Sequence, residues 1–308
     1  MAVLCVGTAI TEDARQVEYS VSAYCEGTIP LENVWDTLDK THQLELVDSV
    51  VRAMEKLQQV DVHSISPSLP GNANLLNSTA NWPAKWLGGP SLGYHPDVKH
   101  FLDSLLNTGS RGPPTCKLLE LNGGVVVASS YDDIGQVELS RADLEKLQSH
   151  AVCCHNDIEP RNILVTKLSS TPGNERYELT ALVDWEMVGF YPFSYEYSLK
   201  DLVLGSSNLS LGWYTLFKER TAHLLPPDEC HMRFIKALGI IDRSRKRRMV
   251  RNVGVRFQAK WIEREQVTMS PDLRQGWVRK FDTKPPKPFT KDDAEIMEQE
   301  VLRELGYS

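Results

Sequence analysis

The 308-residue chain is long enough to bury a sizeable core, as one large domain or two modest ones. Its hydrophobic content of 41% and charged content of 24% are near globular averages and indicate a soluble, folded protein. The net charge of -7 gives no general reason to expect a nucleic acid partner. The N-terminus lacks the basic flank of a secretory signal, and no run of eighteen apolar residues could span a bilayer, so we expect a cytoplasmic protein without a membrane partner.

The first 114 residues predict a short β-rich start followed by a helix and a variable segment. Runs 3–10 and 17–24 have β-rich composition and are separated by a polar turn, which predicts an antiparallel pair. Apolar residues recur at helical spacing over 42–57. Residues 60–114 are rich in Pro, Gly, Asn and Ser, with a short helix expected near 97–106. Because such long loops are often functional insertions, we expect substrate-specific structure there.

The middle of the chain carries two local signals of good quality. Asn122 and Gly123 separate two apolar runs, and this dipeptide tolerates positive φ at both positions of a hairpin turn. Ser140 is predicted to cap a helix over 141–148, supported by Asp143 three residues later. None of the six cysteines forms a C-x-x-C pair, so neither a zinc site nor a disulfide framework is predicted.

Past residue 184 the pattern becomes helical to the end of the chain. The basic run 243–251 is interpreted as the solvated face of a helix, with a nuclear-targeting or anion-binding patch as the alternative. A Pro-rich segment from residue 284 is predicted to be a linker before the last helix. The predicted helices cover residues 195–204, 211–224, 228–238, 244–266 and 291–305.

The residues that indicate chemistry follow the pattern His-x-Asp-x-x-x-x-Asn over 155–162. Phosphoryl transfer from ATP needs a carboxylate to orient the attacking hydroxyl and accept its proton, and oxygen ligands for Mg²⁺. Asp157 is the candidate base and Asn162 a candidate metal ligand. Runs 162–166 and 179–184 are predicted to form the two arms of a hairpin, which would bring Asp184, a second metal ligand, to the same edge.

Two segments, residues 155–165 and 182–192, resemble the catalytic and metal-binding motifs of the aminoglycoside phosphotransferase and choline kinase family, in the version common among fungal proteins. The resemblance covers about residues 2–224 and is loosest between 60 and 139. It implies a protein-kinase-like α+β fold, with a reduced β-rich N-terminal lobe and a mainly helical C-terminal lobe. The implied activity is transfer of the ATP γ-phosphate to a hydroxyl of a small molecule, with Mg²⁺.

The resemblance also assigns supporting roles. Residues 24–35 resemble the hinge between the lobes, so the backbone of Ala23, Tyr24 and Cys25 would hold the adenine ring. The counterpart of His155 braces the catalytic loop through hydrogen bonds, and Glu186 either packs the following loop or assists a second metal ion.

The resemblance implies a division into three parts. Residues 1–27 would be a remnant of the N-terminal lobe with the hinge, residues 28–283 the helical lobe with a variable insertion at 60–114, and residues 284–308 a linker and C-terminal helix. The Gly-rich loop and the phosphate-binding lysine that precede these strands in the family are not found in the sequence. Three interpretations follow: an incomplete gene model of an active kinase, a pseudokinase-like binding or regulatory protein, or an enzyme that binds its nucleotide unusually.

Overall fold

The fold is α+β, as predicted. The computed structural model describes residues 3–13, 15–60, 87–107, 114–169, 175–281, 283 and 286–307. Most of the predicted variable insertion, residues 61–86 and 108–113, lies outside the described residues.

The described residues form fourteen strands and eight α-helices. The strands are β1 (Val3–Ile10), β2 (Gln16–Ser22), β3 (Thr28–Pro30), β4 (Leu87–Gly89), β5 (Gly93–His95), β6 (Cys116–Leu121), β7 (Gly124–Ser129), β8 (Gln136–Leu139), β9 (Ala151–Cys154), β10 (Ile163–Ser169), β11 (Arg176–Leu182), β12 (Gly189–Pro192), β13 (Val267–Met269) and β14 (Trp277–Arg279). The helices are α1 (Lys40–Gln58), α2 (Val98–Asn107), α3 (Arg141–Ser149), α4 (Phe193–Val203), α5 (Leu211–Thr221), α6 (Glu229–Arg248), α7 (Val253–Glu265) and α8 (Lys291–Leu305).

The chain starts with the predicted antiparallel pair, β1 and β2, in which Val6 lies opposite Ser20. Within the segment that resembles the hinge, β3 pairs with β10, and Ile29 lies opposite Val165. The order of this sheet is β11-β10-β3. The segment after the first hairpin therefore connects directly to the hairpin that carries the candidate metal ligands.

Helix α1 supplies much of the core, with Leu46, Val47 and Val50 almost fully buried. It begins at Lys40, two residues before the predicted start, because the Asp39 side chain accepts a hydrogen bond from the His42 backbone N–H at 2.9 Å and caps the helix. The helix packs against α5 and β11, so it covers one side of the sheet beneath the candidate site.

Both local signals in the middle of the chain are confirmed. Asn122 and Gly123 adopt φ angles of 51° and 78° between β6 and β7, as a two-residue hairpin turn with two positive φ angles requires. Ser140 and Asp143 form a reciprocal capping box at the start of α3. These elements fold as the adjacent residues specify.

The predicted helix boundary near residues 239–243 is wrong. Helix α6 runs without a break to Arg248, because Ile240 and Ile241 are buried and continue its apolar face past Gly239. The break comes at Asn252, whose side chain accepts from the Val255 backbone N–H at 3.1 Å and starts α7. A buried face of a helix thus outweighs the modest cost of an interior glycine.

Most of the basic run therefore lies in the last turns of α6, where the helix dipole favours positive charge. Arg245 donates to the carbonyl of Leu105, and Lys246 pairs with Asp242 at 2.8 Å. Several of these cations therefore make contacts within the fold, in agreement with the interpretation of the basic run as a helix face.

Helix α8 has the predicted bounds and packs on α7. Lys260 pairs with Glu300 at 3.1 Å and with Glu304 at 2.7 Å. A second small core of Leu204, Tyr214, Trp261 and Val267 lies beside this contact. No helix in the described ranges is long and apolar enough to cross a membrane.

Candidate active site at the loop between β9 and β10

The candidate catalytic loop, residues 155–162, connects β9 to β10 and is held by a left-handed residue near its start. Asn156 has φ of 66°, a conformation that asparagine tolerates better than most residues. Its side-chain Nδ2 donates to the carbonyl of Met187 at 2.8 Å, and its backbone N–H donates to Glu196 Oε1 at 3.0 Å. The turn is therefore fixed to the segment before β12 and to α4.

The structure brings Asp157 and Asn162 together. Asn162 Nδ2 donates to Asp157 Oδ2 at 2.7 Å and to the Asp157 backbone carbonyl at 2.9 Å. Arg161 Nη2 lies 2.7 Å from both carboxylate oxygens of Asp157. The Asp157 side chain is 19% exposed, so it is partly accessible to a substrate and at the same time held by two neighbours.

His155 braces the loop. Its Nε2 donates to the carbonyl of Val183 at 3.0 Å, and its Nδ1 accepts from the Asp157 backbone N–H at 3.3 Å. Burial lowers the pKa of His155 to about 4, with a further contribution from the nearby charge of Lys200. The ring is therefore neutral at pH 7, and both nitrogens are used in the bracing role that the resemblance implies.

Asp184 lies at the end of the predicted hairpin, β10 and β11. Ile163 pairs with Leu182, and the Val183 backbone N–H donates to the carbonyl of Asn162 at 3.0 Å. Asp184 follows with φ of 65°, is exposed, and has no hydrogen-bond or ion-pair partner among the residues that the structure describes. The hairpin register thus brings the two candidate metal-binding positions to one end of the same strand pair.

The profile of the Phosphotransferase enzyme family (APH) matches residues 4–199. The chain belongs to this family. Members of the family have a protein-kinase-like fold, and the mixed strands and helices described above agree with it. No curated protein and no solved structure matches the chain.

The family match contains all the sequence-predicted site residues and ends within α4. Helix α4 carries three buried charged residues that were not predicted from the sequence, and two of them, Glu196 and Lys200, contact the candidate catalytic loop. Lys200 Nζ lies 2.8 Å from Glu159 Oε1 and 2.6 Å from the carbonyl of Ile158, and both charged side chains are 1% exposed. Glu196 accepts from Asn156, as described above. The only signal in the sequence was a pair of charges at helical spacing among aromatic residues.

Burial raises the pKa of both carboxyl groups, Glu159 and Glu196, and the charge of Lys200 acts in the opposite direction on each. The charge of one cation therefore favours the ionised form of both buried carboxyl groups beneath the loop. The candidate catalytic loop is supported from behind by α4 as well as by His155.

The segment expected to contact adenine follows β2. Tyr24 is 87% exposed, and the carbonyl of Cys25 accepts from Thr28 Oγ1 at 2.7 Å. For Ala23 and Tyr24, no backbone hydrogen bond is found within the described part of the chain. None of the three predicted backbone positions thus lies in a helix or strand, and two of them make no backbone hydrogen bond to the described residues.

A groove of about 610 Å³ opens beside the catalytic loop. Pro160 and Arg161 form one wall, residues 209–212 at the start of α5 form a second, and residues 286–291 with the first turn of α8 form a third; side chains between residues 32 and 43, together with Glu265 and Arg279, also line the groove. The last two walls lie beyond the family match. The groove is therefore built partly from residues that the family profile does not cover.

Proposed function

We propose that this protein transfers the γ-phosphoryl group of ATP to a hydroxyl group of a small molecule, with Mg²⁺. The observation that carries the proposal is the hydrogen-bonded arrangement of Asp157 and Asn162 at the end of the hairpin that also carries Asp184. Membership of the Phosphotransferase enzyme family supports the same reaction class.

Asp157 is the group that would orient the attacking hydroxyl. An ionised carboxylate has about four acceptor sites. Oδ1 accepts from Arg161, and Oδ2 accepts from Arg161 and Asn162. Acceptor capacity therefore remains for a substrate hydroxyl, which would donate its proton to this carboxylate as the bond to phosphorus forms.

The donor set fits Mg²⁺, which binds proteins through one or two carboxylates together with substrate phosphates and water. Because Nδ2 of Asn162 makes both hydrogen bonds to Asp157, its Oδ1 is the atom that can act as a ligand. Asp184 offers an exposed carboxylate. Among the described residues there is no cluster of three or more His, Cys, Asp or Glu that could hold a metal by itself. Bound there, the ion would neutralise charge on the phosphates.

We propose the binding sites for adenine and for the acceptor from the positions of the remaining residues. The backbone of Ala23, Tyr24 and Cys25 would bind the edge of adenine, and the groove beside Arg161 would take the acceptor. A volume of about 610 Å³ is within the range of small-molecule sites. The acceptor would thus be selected by the groove and the reaction performed at its edge.

Titration calorimetry with MgATP and a MgATP hydrolysis assay, in which water replaces the unidentified acceptor, test the proposal. We expect measurable MgATP binding by the wild type. Asp157→Asn should abolish turnover with little change in nucleotide affinity, and Asp184→Asn should weaken binding of MgATP. Asp132→Asn, at an exposed position on the β7–β8 loop, is the matched control and should change neither.

Absence of MgATP binding by the wild type would overturn the proposed function. Binding without turnover, unaffected by Asp157→Asn, would instead identify a non-catalytic binding protein that keeps the family scaffold.

A further inference from the structure

Arg161 contacts both carboxylate oxygens of the proposed base and is not among the predicted site residues. Its Nη2 lies 2.7 Å from both carboxylate oxygens of Asp157, and its Nη1 donates to the carbonyl of Ser207 at 2.9 Å. One guanidinium therefore connects the carboxylate to the segment that follows α4.

The burial and charges around this contact separate it from an ordinary surface ion pair. The Asp157 and Arg161 side chains are 19% and 35% exposed, respectively. The other cation near the loop, Lys200, is buried behind it and bound to Glu159 and to the carbonyl of Ile158. Arg161 is thus the cation bonded to Asp157, and it lines the groove proposed for the acceptor.

The two hydrogen-bonding directions at this position favour arginine over lysine. A planar guanidinium can donate in two directions at fixed angles, whereas an ammonium is a single point of charge on a flexible stem. Here Nη2 donates to the Asp157 carboxylate and Nη1 to the Ser207 carbonyl. A lysine at this position could bond only one of them at a time, and the carboxylate would then keep Asn162 as its other donor.

We infer that Arg161 is a positioning residue: it fixes the Asp157 carboxylate at the edge of the groove in the orientation needed to accept the proton of the attacking hydroxyl. This inference rests on the proposed function. Arg161 acts through Asp157, so its removal should lower the turnover number and leave the affinity for MgATP unchanged.

The test is hydrolysis of MgATP by the full chain, with water as the acceptor. In Arg161→Ala, we expect kcat to fall on the order of 100-fold, the size of effect that misplacement of a reacting group by about 1 Å produces. The dissociation constant for MgATP, measured by calorimetry, should stay at the wild-type value. Added guanidinium chloride should restore part of kcat in Arg161→Ala, because free guanidinium can occupy the vacated position, and should not stimulate the wild type.

A matched control comes from Arg141, which pairs with Glu145 at 2.7 Å with the same four-residue spacing on the exposed face of α3. Arg141→Ala should keep the wild-type kcat and show no response to guanidinium. If circular dichroism shows that Arg161→Ala does not fold, Arg161→Lys is the second test variant. We expect Arg161→Lys to fold and to have a kcat well below that of the wild type. A wild-type kcat in Arg161→Lys would overturn the inference.

The other outcomes are distinct from failure of the proposed function. Wild-type kcat in Arg161→Ala, or a loss of kcat that guanidinium does not restore, would overturn the positioning role while the wild type still hydrolyses MgATP. A wild type that neither binds nor hydrolyses MgATP would overturn the proposed function and this inference with it.

Discussion

The buried ion pair beneath the candidate catalytic loop can be disrupted by substitution to test how that loop is held. In Lys200→Met, a side chain of similar length remains but both contacts of the ammonium are lost, those to Glu159 at 2.8 Å and to the carbonyl of Ile158 at 2.6 Å. The Oε2 atom of Glu159 is already buried without a hydrogen-bond partner. The substitution would therefore leave a buried carboxyl group without its cation.

Removing one member of a buried ion pair costs about 3–5 kcal/mol of stability, because the remaining charge is neither solvated nor paired. Both side chains here are 1% exposed, which places the pair in this class rather than among surface pairs. We therefore expect Lys200→Met to lower the free energy of unfolding by about 3–5 kcal/mol. The double variant Lys200→Met with Glu159→Met should recover most of that loss, since apolar side chains of similar size then replace the pair.

Urea unfolding followed by tryptophan fluorescence measures both quantities, and the chain has seven tryptophans to report the transition. Lys260→Met is the matched control, because Lys260 pairs with Glu300 and Glu304 at the surface, where ion pairs contribute little. A Lys200→Met variant within about 1 kcal/mol of the wild type would refute the reasoning, as would a double variant less stable than the single one.

Three further predictions concern stability. Burial, with the neighbouring His150, lowers the pKa of His231 to about 4 in the folded protein from its usual 6.5, so the unfolded chain binds a proton that the folded chain does not. Stability should therefore fall as pH decreases from about 6.5 to about 4, by up to about 3 kcal/mol, and urea titrations across this range should show a smaller loss for His231→Gln. Ser140→Ala removes the cap of α3 and should lower the free energy of unfolding by about 1 kcal/mol in the same assay at pH 7; no change would show that the cap is dispensable. Gly276 has φ of 65°, and a Cβ there would overlap the Tyr214 hydroxyl, so thermal unfolding of Gly276→Ala should show a loss of about 1–3 kcal/mol, which a wild-type melting temperature would contradict.

Features determined by neighbouring residues could be predicted from the sequence. The Asn122-Gly123 turn and the Ser140 cap depend on backbone angles and hydrogen bonds within a few residues. The sequence also predicted the hairpin that ends before Asp184, because two β-rich runs separated by a polar loop pair with each other; the two register shifts in this pair were not predicted. The roles of these residues in binding metal and substrate stay predictions.

Features that depend on distant parts of the chain were missed or predicted wrongly. The continuity of α6 past Gly239 depends on the burial of Ile240 and Ile241 against other parts of the chain, which sequence spacing does not show. The pairing of Lys200 with Glu159 joins residues 41 positions apart, and the contact of Arg161 with Ser207 joins residues 46 positions apart. Sequence spacing carries information about contacts within a helix or a hairpin, but not about which loop a helix will support.

The candidate catalytic loop is held from two sides, by residues behind it and by Arg161 on the groove side. His155, Glu196 and Lys200 fix its backbone from behind, and only Lys200 lies beyond the family match, by one residue. On the groove side, Arg161 fixes the Asp157 carboxylate by reaching the Ser207 carbonyl, outside that match. Because the contact at Ser207 is made by a backbone carbonyl, a change of side chain there would preserve it. The residues of the groove walls can therefore change while the orientation of the carboxylate is kept, so the proposed function allows different acceptors at the same carboxylate.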